Sequence, residues 1–287
     1  MAETSPLVCR EMVDADLADG LRLSRASGWN QTLEDWRLLL ALGPGLFRVA
    51  EQEGRVVASA GAVRYGEALA WLCMVLVLPE RRGQGVGTVL FDDVLARVDG
   101  LVHESGVRRV GLDATPAGRA LYLRRAFADG PSLTRLQRGA GPAPRAAGVR
   151  PLETSDLPTV LDLDRSVFGA DRSPALRHAF SSAPDLAWIA RDGATAGYCF
   201  GRHGDHSDHV GPIVAGEPEL ARALVLAGAA AAGRPLIVDA FARPEWTAAL
   251  EALGFRAQRT FTRMYRGPAP AAGEPARSWA ACGPEFG

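Results

Sequence analysis

The sequence predicts an α/β (α+β) protein built from two tandem copies of one unit, each a mixed, mostly antiparallel sheet flanked by helices. Three observations predict it. First, the two halves open and close alike: "REMVDADL" (10–17) matches "RPLETSDL" (150–157), and "RRAFADGPSLTRLQRG" matches "ALGFRAQRTFTRMYRG". Phe127 then aligns with Phe255, and Thr134-Arg135 with Thr262-Arg263, without a gap. Second, "FRVAEQEGRVVASAGAVRYGE" (47–67) and "AWIARDGATAGYCFGRHGD" (187–205) both read as strand, glycine turn, strand. Third, "RGAGPAPRAAGV" (138–149) is rich in Pro, Gly and Ala with no apolar periodicity, the mark of a linker. Agreement at both ends and in the middle points to an internal duplication. The expected domains are 1–139 and 149–267, joined by a linker at 140–148. The closing stretch 268–287 has linker-like composition and is expected to be poorly ordered.

Each unit reads in order as strand, two helices, antiparallel strands, glycine loop or its counterpart, helix, strand, helix, strand. "ALAWLCMVLVLP" (68–79) is continuously apolar and reads as a buried strand. "GTVLFDDVLARVDGLV" spaces its apolar residues as a helix does, leaving Asp92 and Asp93 on the polar face. "GVRRVGLDA" is a short strand, and "PAGRALYLRRAF" a helix with proline in its first turn.

Composition excludes several classes. The 287 residues carry a net charge of −1, which lacks the basic footprint that a nucleic-acid partner needs. The longest apolar runs fall short of the roughly 20 residues of a membrane span, and no secretory leader is expected. The four cysteines (Cys9, Cys73, Cys199, Cys282) are far apart and unpaired in spacing, which fits reduced thiols in the cytoplasm. Every basic residue is arginine and Asn30 is the single asparagine, a bias that points to GC-rich coding rather than to function.

"PERRGQGVGTVLF" (79–91) carries the chemistry. Glycines between a buried strand and a helix free the backbone to approach a ligand, and several N–H groups then point into one concavity at a helix N-terminus. A nucleoside-triphosphate loop needs Gly-Lys-Ser/Thr, but the chain has Gly87-Thr88 and no lysine. A dinucleotide fingerprint needs GxGxxG; Gly83-Gln84-Gly85-Val86-Gly87 is one residue short.

The run Arg82-Gly83-Gln84-Gly85-Val86-Gly87 after "VLVLPE" resembles motif A of the GNAT acyltransferases, Arg/Gln-x-x-Gly-x-Gly/Ala. The resemblance implies acetyl-CoA as acyl donor; no metal is expected. Its pyrophosphate would lie on the loop amides through Thr88, and its pantetheine and thioester along Val75, Leu76 and Val77. It also implies that Tyr122, five residues before Phe127, donates a proton to the departing sulfur. Where the family often has an asparagine that contacts the donor, this chain has Thr115. An amine would attack the thioester directly, with backbone N–H groups stabilising the developing oxyanion and a positioned acid contributing about 10²–10⁴-fold. Some relatives place a glutamate base near the position of Trp71; here Glu67, at the hairpin, is the nearest substitute, and a solvated turn carboxylate is its other reading.

On the acceptor side, Trp29 and Asn30 in "ASGWNQTLEDW", with Tyr65 and Trp71, are candidate substrate contacts. Helix packing by Trp29 and helix capping by Asn30 are the alternatives. Together with "DATPAG" and "RMYRG", these stretches resemble a tandem GNAT subfamily with a YitH-type second domain. In that second unit "HVGPIVAGEPELARAL" replaces the glycine loop, Glu217 and Glu219 stand where phosphates would lie, and Leu250 stands where Tyr122 does. The expectation is one catalytic unit and one degenerate one. Acceptor classes are a small-molecule amine, a hydroxyl or a protein amine, handled by a monomer or homodimer. A non-catalytic acyl-CoA or metabolite sensor is the competing class. His203, His206 and His209 lie in a predicted turn whose spacing does not converge on a metal.

Overall fold

A computed structural model describes residues 6–144, 146–192, 194–267 and 273–287. The chain divides into two compact units, residues 1–110 and 111–287.

The first unit begins with β1 (Val8–Glu11), α1 (Leu17–Ala26) and α2 (Leu33–Leu42). The strands β2 (Arg48–Gln52), β3 (Arg55–Tyr65) and β4 (Leu69–Val77) follow, then α3 (Val86–Ser105), and β5 (Val110–Ala114) starts at its end. β1 to β4 form an antiparallel meander in chain order. α1 and α2 pack through Trp36, whose fully buried indole donates to the Ser24 hydroxyl at 3.1 Å. Gly20 makes that contact possible, since a Cβ there would stand 2.8 Å from the Trp36 ring. Thr32, not Asn30, caps α2: its hydroxyl accepts from the Asp35 N–H, and Asp35 reaches back to the Thr32 N–H. α3 lays Val86, Leu90, Phe91, Val94, Leu95 and Val98 against the sheet. Its outer Asp93 reaches Arg48 of β2 at 2.6 Å.

The second unit holds α4 (Pro116–Leu123), β6 (Ala128–Arg138), β7 (Val149–Pro151), α5 (Leu157–Phe168) and α6 (Ser173–Ser182). It continues through β8 (Trp188–Asp192), β9 (Ala194–His203), β10 (Asp208–Ala215), α7 (Pro218–Ala231), β11 (Leu236–Phe241), α8 (Pro244–Ala252), β12 (Arg256–Arg266) and β13 (Ser278–Ala280). Its strands run β12–β6–β11–β13–β10–β9–β8–β7.

The predicted duplication is visible element by element: β1 to β6 with α1 to α4 are repeated as β7 to β12 with α5 to α8. Local chemistry repeats with it. Arg10 forks onto Asp16 at 2.7 and 2.8 Å while Asp16 caps the Val13 N–H; Arg150, Asp156 and Glu153 do the same in the second copy.

Two expectations need correction. The compact units do not part at the linker, because β6, the last strand of the first repeat, pairs with β11 and β12 of the second. Nor is the closing stretch poorly ordered where it is described: residues 273–287 form a turn, β13 and a tight loop that bury Trp279, Cys282 and Phe286. Its Pro/Gly/Ala composition masks those anchors. Residues 268–272 of that expectation, and Arg145 of the linker, lie outside the described residues.

Candidate active site

β3 and β4 keep a regular register from Tyr65↔Leu69 to Gly61↔Cys73, then resume at Ser59↔Leu76. Met74 and Val75 therefore face the single residue Ala60, a β-bulge. Met74 sits at φ 54°, a left-handed conformation that costs a non-glycine residue about 1–3 kcal/mol. Ser59 holds it there: its buried hydroxyl donates to the Met74 carbonyl at 2.9 Å. Beyond the bulge Val75 and Val77 are half-buried and share one face, while Leu76 and Leu78 turn into the core.

A 3-10 turn (Pro79–Arg81) leads from β4 into the glycine loop. Gly83 and Gly85 have φ 75° and 80°, and nothing lies within 4 Å of where their side chains would begin. Backbone conformation thus requires glycine, and the space over the loop stays open. Gly85 is the N-cap of α3 with no side-chain capping bond, so the first-turn N–H groups have no cap of their own. Arg82 braces this corner, donating to the Val77 carbonyl at 3.0 Å and to the Ser27 hydroxyl at 3.3 Å. Gln84 donates to the Glu80 carbonyl at 3.1 Å. Gly87 lets α3 approach β4, since a Cβ there would stand 3.0 Å from Val77. Val86 is buried, Thr88 exposed.

The other predicted residues of this unit fare differently. Trp29 is half-buried and Asn30 buried in the α1–α2 connection. Beside them Gln31 is fully buried, and its amide finds no partner among the described residues. No motif in the sequence marks it. Tyr65 (2% exposed) and Trp71 (0%) are core side chains and offer no face to a substrate. Glu67 is exposed in the β3–β4 turn, where its carbonyl accepts the Arg108 N–H. Eight residues of extended chain separate it from Val75, about 26 Å at roughly 3.3 Å per residue. Glu67 is a solvated turn carboxylate, too far along the strand to act as base at Val75.

Tyr122 and Thr115 belong to the second unit, on α4. Thr115 is the N-cap, its hydroxyl accepting from the Gly118 N–H at 3.3 Å. The Tyr122 ring lies back over Gly118, where a Cβ would stand 3.0 Å from the ring and 3.2 Å from the hydroxyl. It packs edge-on against Phe127 with centroids 6.2 Å apart. Burial pushes the phenol up to about 12.

The second repeat has no equivalent loop. α7 begins with exposed Glu217 at its N-cap, then Pro218 and exposed Glu219. Leu250, the counterpart of Tyr122, is a core residue on α8. The histidines disperse: His203 binds Asp208 at 2.9 Å and Asp185 at 3.2 Å, and buried His209 binds Asp239 at 3.1 Å. No group of three or more metal-ligating side chains gathers among the described residues.

A family model described as the acetyltransferase (GNAT) family matches residues 12–127, and one described as an acetyltransferase (GNAT) domain matches 160–275. The chain belongs to the GNAT acetyltransferases. This GNAT protein carries two such domains and is an acyltransferase. It is similar to the solved structure of a putative acetyltransferase from Pyrococcus horikoshii, at 18% identity and TM-score 0.80 over 98% of this chain and 96% of that one. A GCN5-related N-acetyltransferase from Sphaerobacter thermophilus matches at 18% identity and TM-score 0.70, covering 94% of this chain and 99% of that one. Eis1 from Mycobacterium abscessus matches at 16% identity and TM-score 0.52, covering 91% and 74%. At these identities the likeness is one of fold. No curated protein gives a sequence match. No helix among the described residues is long and apolar enough to cross a membrane.

Proposed function

We propose that this GNAT protein transfers an acetyl group from acetyl-CoA to a small-molecule amine, directly and without a covalent enzyme intermediate. One observation carries the reading: a strained bulge at Met74, pinned by Ser59, turns β4 into an accessible Val75/Val77 face that runs straight into an uncapped helix N-terminus. The open space above Gly83 and Gly85 and the unsatisfied first-turn amides fit a pyrophosphate. The loop from Gly83 to Thr88 would hold it, with Arg82 keeping the loop against β4.

The donor supplies an activated acyl group and a thiolate leaving group. The backbone of Val75 to Val77 lines the acyl end and presents amides to charge developing on the carbonyl oxygen. Tyr122 supplies the proton for the sulfur, and its burial keeps the phenol protonated through neutral and mildly basic pH. Half-buried Trp29 supports a small acceptor with an apolar face. An acceptor amine that arrives neutral needs no protein base.

Thiol release from acetyl-CoA with a panel of small amines tests the proposal. Amine-dependent release is expected, and binding without release for every amine would favour a sensor instead. Tyr122→Phe should lower kcat about 10²–10⁴-fold with donor affinity within a few-fold, and unchanged turnover would remove Tyr122 from the mechanism. Gly85→Glu should abolish donor binding, since it places a charge and a side chain at φ 80° on the loop.

A further inference from the structure

β10 and β11 are parallel neighbours only at their first residues, Asp208↔Leu236 and His209↔Ile237. Beyond that point they part, and β13 fills the opening. It pairs antiparallel with Ile213 and Val214 on one side and with Ala240 on the other, and the Ala281 N–H donates to the Asp239 carbonyl at 2.9 Å. The fit is close: a Cβ on Gly211 would stand 2.0 Å from the Ala281 carbonyl oxygen.

Side chains lock the segment at both ends. The Trp279 indole donates to the Ala215 carbonyl at 3.0 Å, and the Trp246 indole to the Trp279 carbonyl at 3.1 Å. Arg243 stacks over the Trp279 ring at 4.2 Å. Further on, buried Glu285 accepts from Arg202, and Arg172, itself paired with Asp164, donates to the Gly287 backbone oxygen at 2.5 Å.

The internal repeat gives this opening its meaning. β10 is the counterpart of β4, and it too carries a bulge, Gly211 and Pro212 facing Phe200 as Met74 and Val75 face Ala60. The second repeat thus retains the interrupted strand from which the first forms its proposed donor face. An extended chain bearing amides is what such an opened strand pair binds, and here that chain is the protein's own backbone.

We propose that residues 278–287 are a permanent internal occupant of the second repeat's donor cleft, so that the protein takes one acyl-CoA per chain, on the first unit. The proposal rests on the donor reading of the first unit given above. Native mass spectrometry and hydrogen exchange with acetyl-CoA test it. One equivalent per chain is expected, with new protection at 83–90 and no change in slow exchange at 280–282. Two equivalents, or faster exchange at 278–282 on adding acetyl-CoA, would overturn it. If no acetyl-CoA binds, the donor reading has failed. The Trp279→Ala variant then judges the occupant separately: exchange at least tenfold faster and confined to 278–287 supports a docked segment, and unchanged exchange refutes it.

Discussion

Asp239 and Asp113 show how neighbours decide what a buried carboxylate does. Both are gripped by an arginine fork in the second unit: Arg135 meets Asp239 at 2.8 and 2.8 Å, and Arg263 meets Asp113 at 2.9 and 2.9 Å. Burial works against ionisation at both. At Asp239 it is overcome by Arg135 and by His209 at 3.1 Å, which hold the carboxyl well below the usual range. At Asp113 Arg263 is the sole partner among the described residues and burial prevails, pushing the carboxyl up. Asp239→Asn should therefore cost about 3–5 kcal/mol, measured by urea unfolding at neutral pH, and Asp113→Asn clearly less. Tyr122 carries a second prediction. Its folded pKa of about 12 lies above the ordinary 10, so the unfolded chain loses this proton first as pH rises. Wild-type stability should fall between pH 10 and 12 by up to about 2–3 kcal/mol more than that of Tyr122→Phe. Neither aspartate was legible in sequence as a partner of its arginine, because over a hundred residues separate each pair. Met74 gave no signal either, since nothing in an apolar run marks the residue that will take a positive φ.

At the scale of elements the glycine loop was the most legible part of the site. Its glycines are demanded by local backbone geometry, and local demands leave a mark in local sequence. Their reasons nonetheless differ from those of glycines in the sheet. Gly83→Ala and Gly85→Ala should each cost about 1–2 kcal/mol, the left-handed penalty alone, because the space around them is open. Gly61→Ala should cost more, since its Cβ would stand 2.2 Å from the Phe47 ring inside the first unit. Melting temperatures of the three variants rank the effects. The strand–helix order of both repeats was equally readable, because apolar periodicity reports each element's own exposure. Misreadings arose where exposure depends on distant elements. Tyr65, Trp71 and Glu67 lie near the donor strand in sequence, but the length of β4 sends Glu67 to its far end and the core takes the two aromatics.

Across the whole molecule, the repeats are stitched rather than strung. Arg135 of β6 binds Asp239 of β11, directly opposite it in register, while Arg263 of β12 binds Asp113 of β5, so each repeat's last strand answers an aspartate of the other repeat. A chain ending at residue 139 should leave the amides of 128–138 unprotected in hydrogen exchange, because both strands that flank β6 are missing. The linker was visible in composition, but composition cannot tell whether the segments it joins exchange strands. The stitching also imposes an order on synthesis. Residues up to 110 can close their meander as they leave the ribosome, whereas β6 must wait for β11, about 100 residues later. At about 5–20 residues per second that is roughly 5–20 s, an interval in which an unpaired strand edge is at its most exposed to other chains. The charged Arg135, Arg138 and Asp129 along β6 would guard it from β-pairing until its partner arrives.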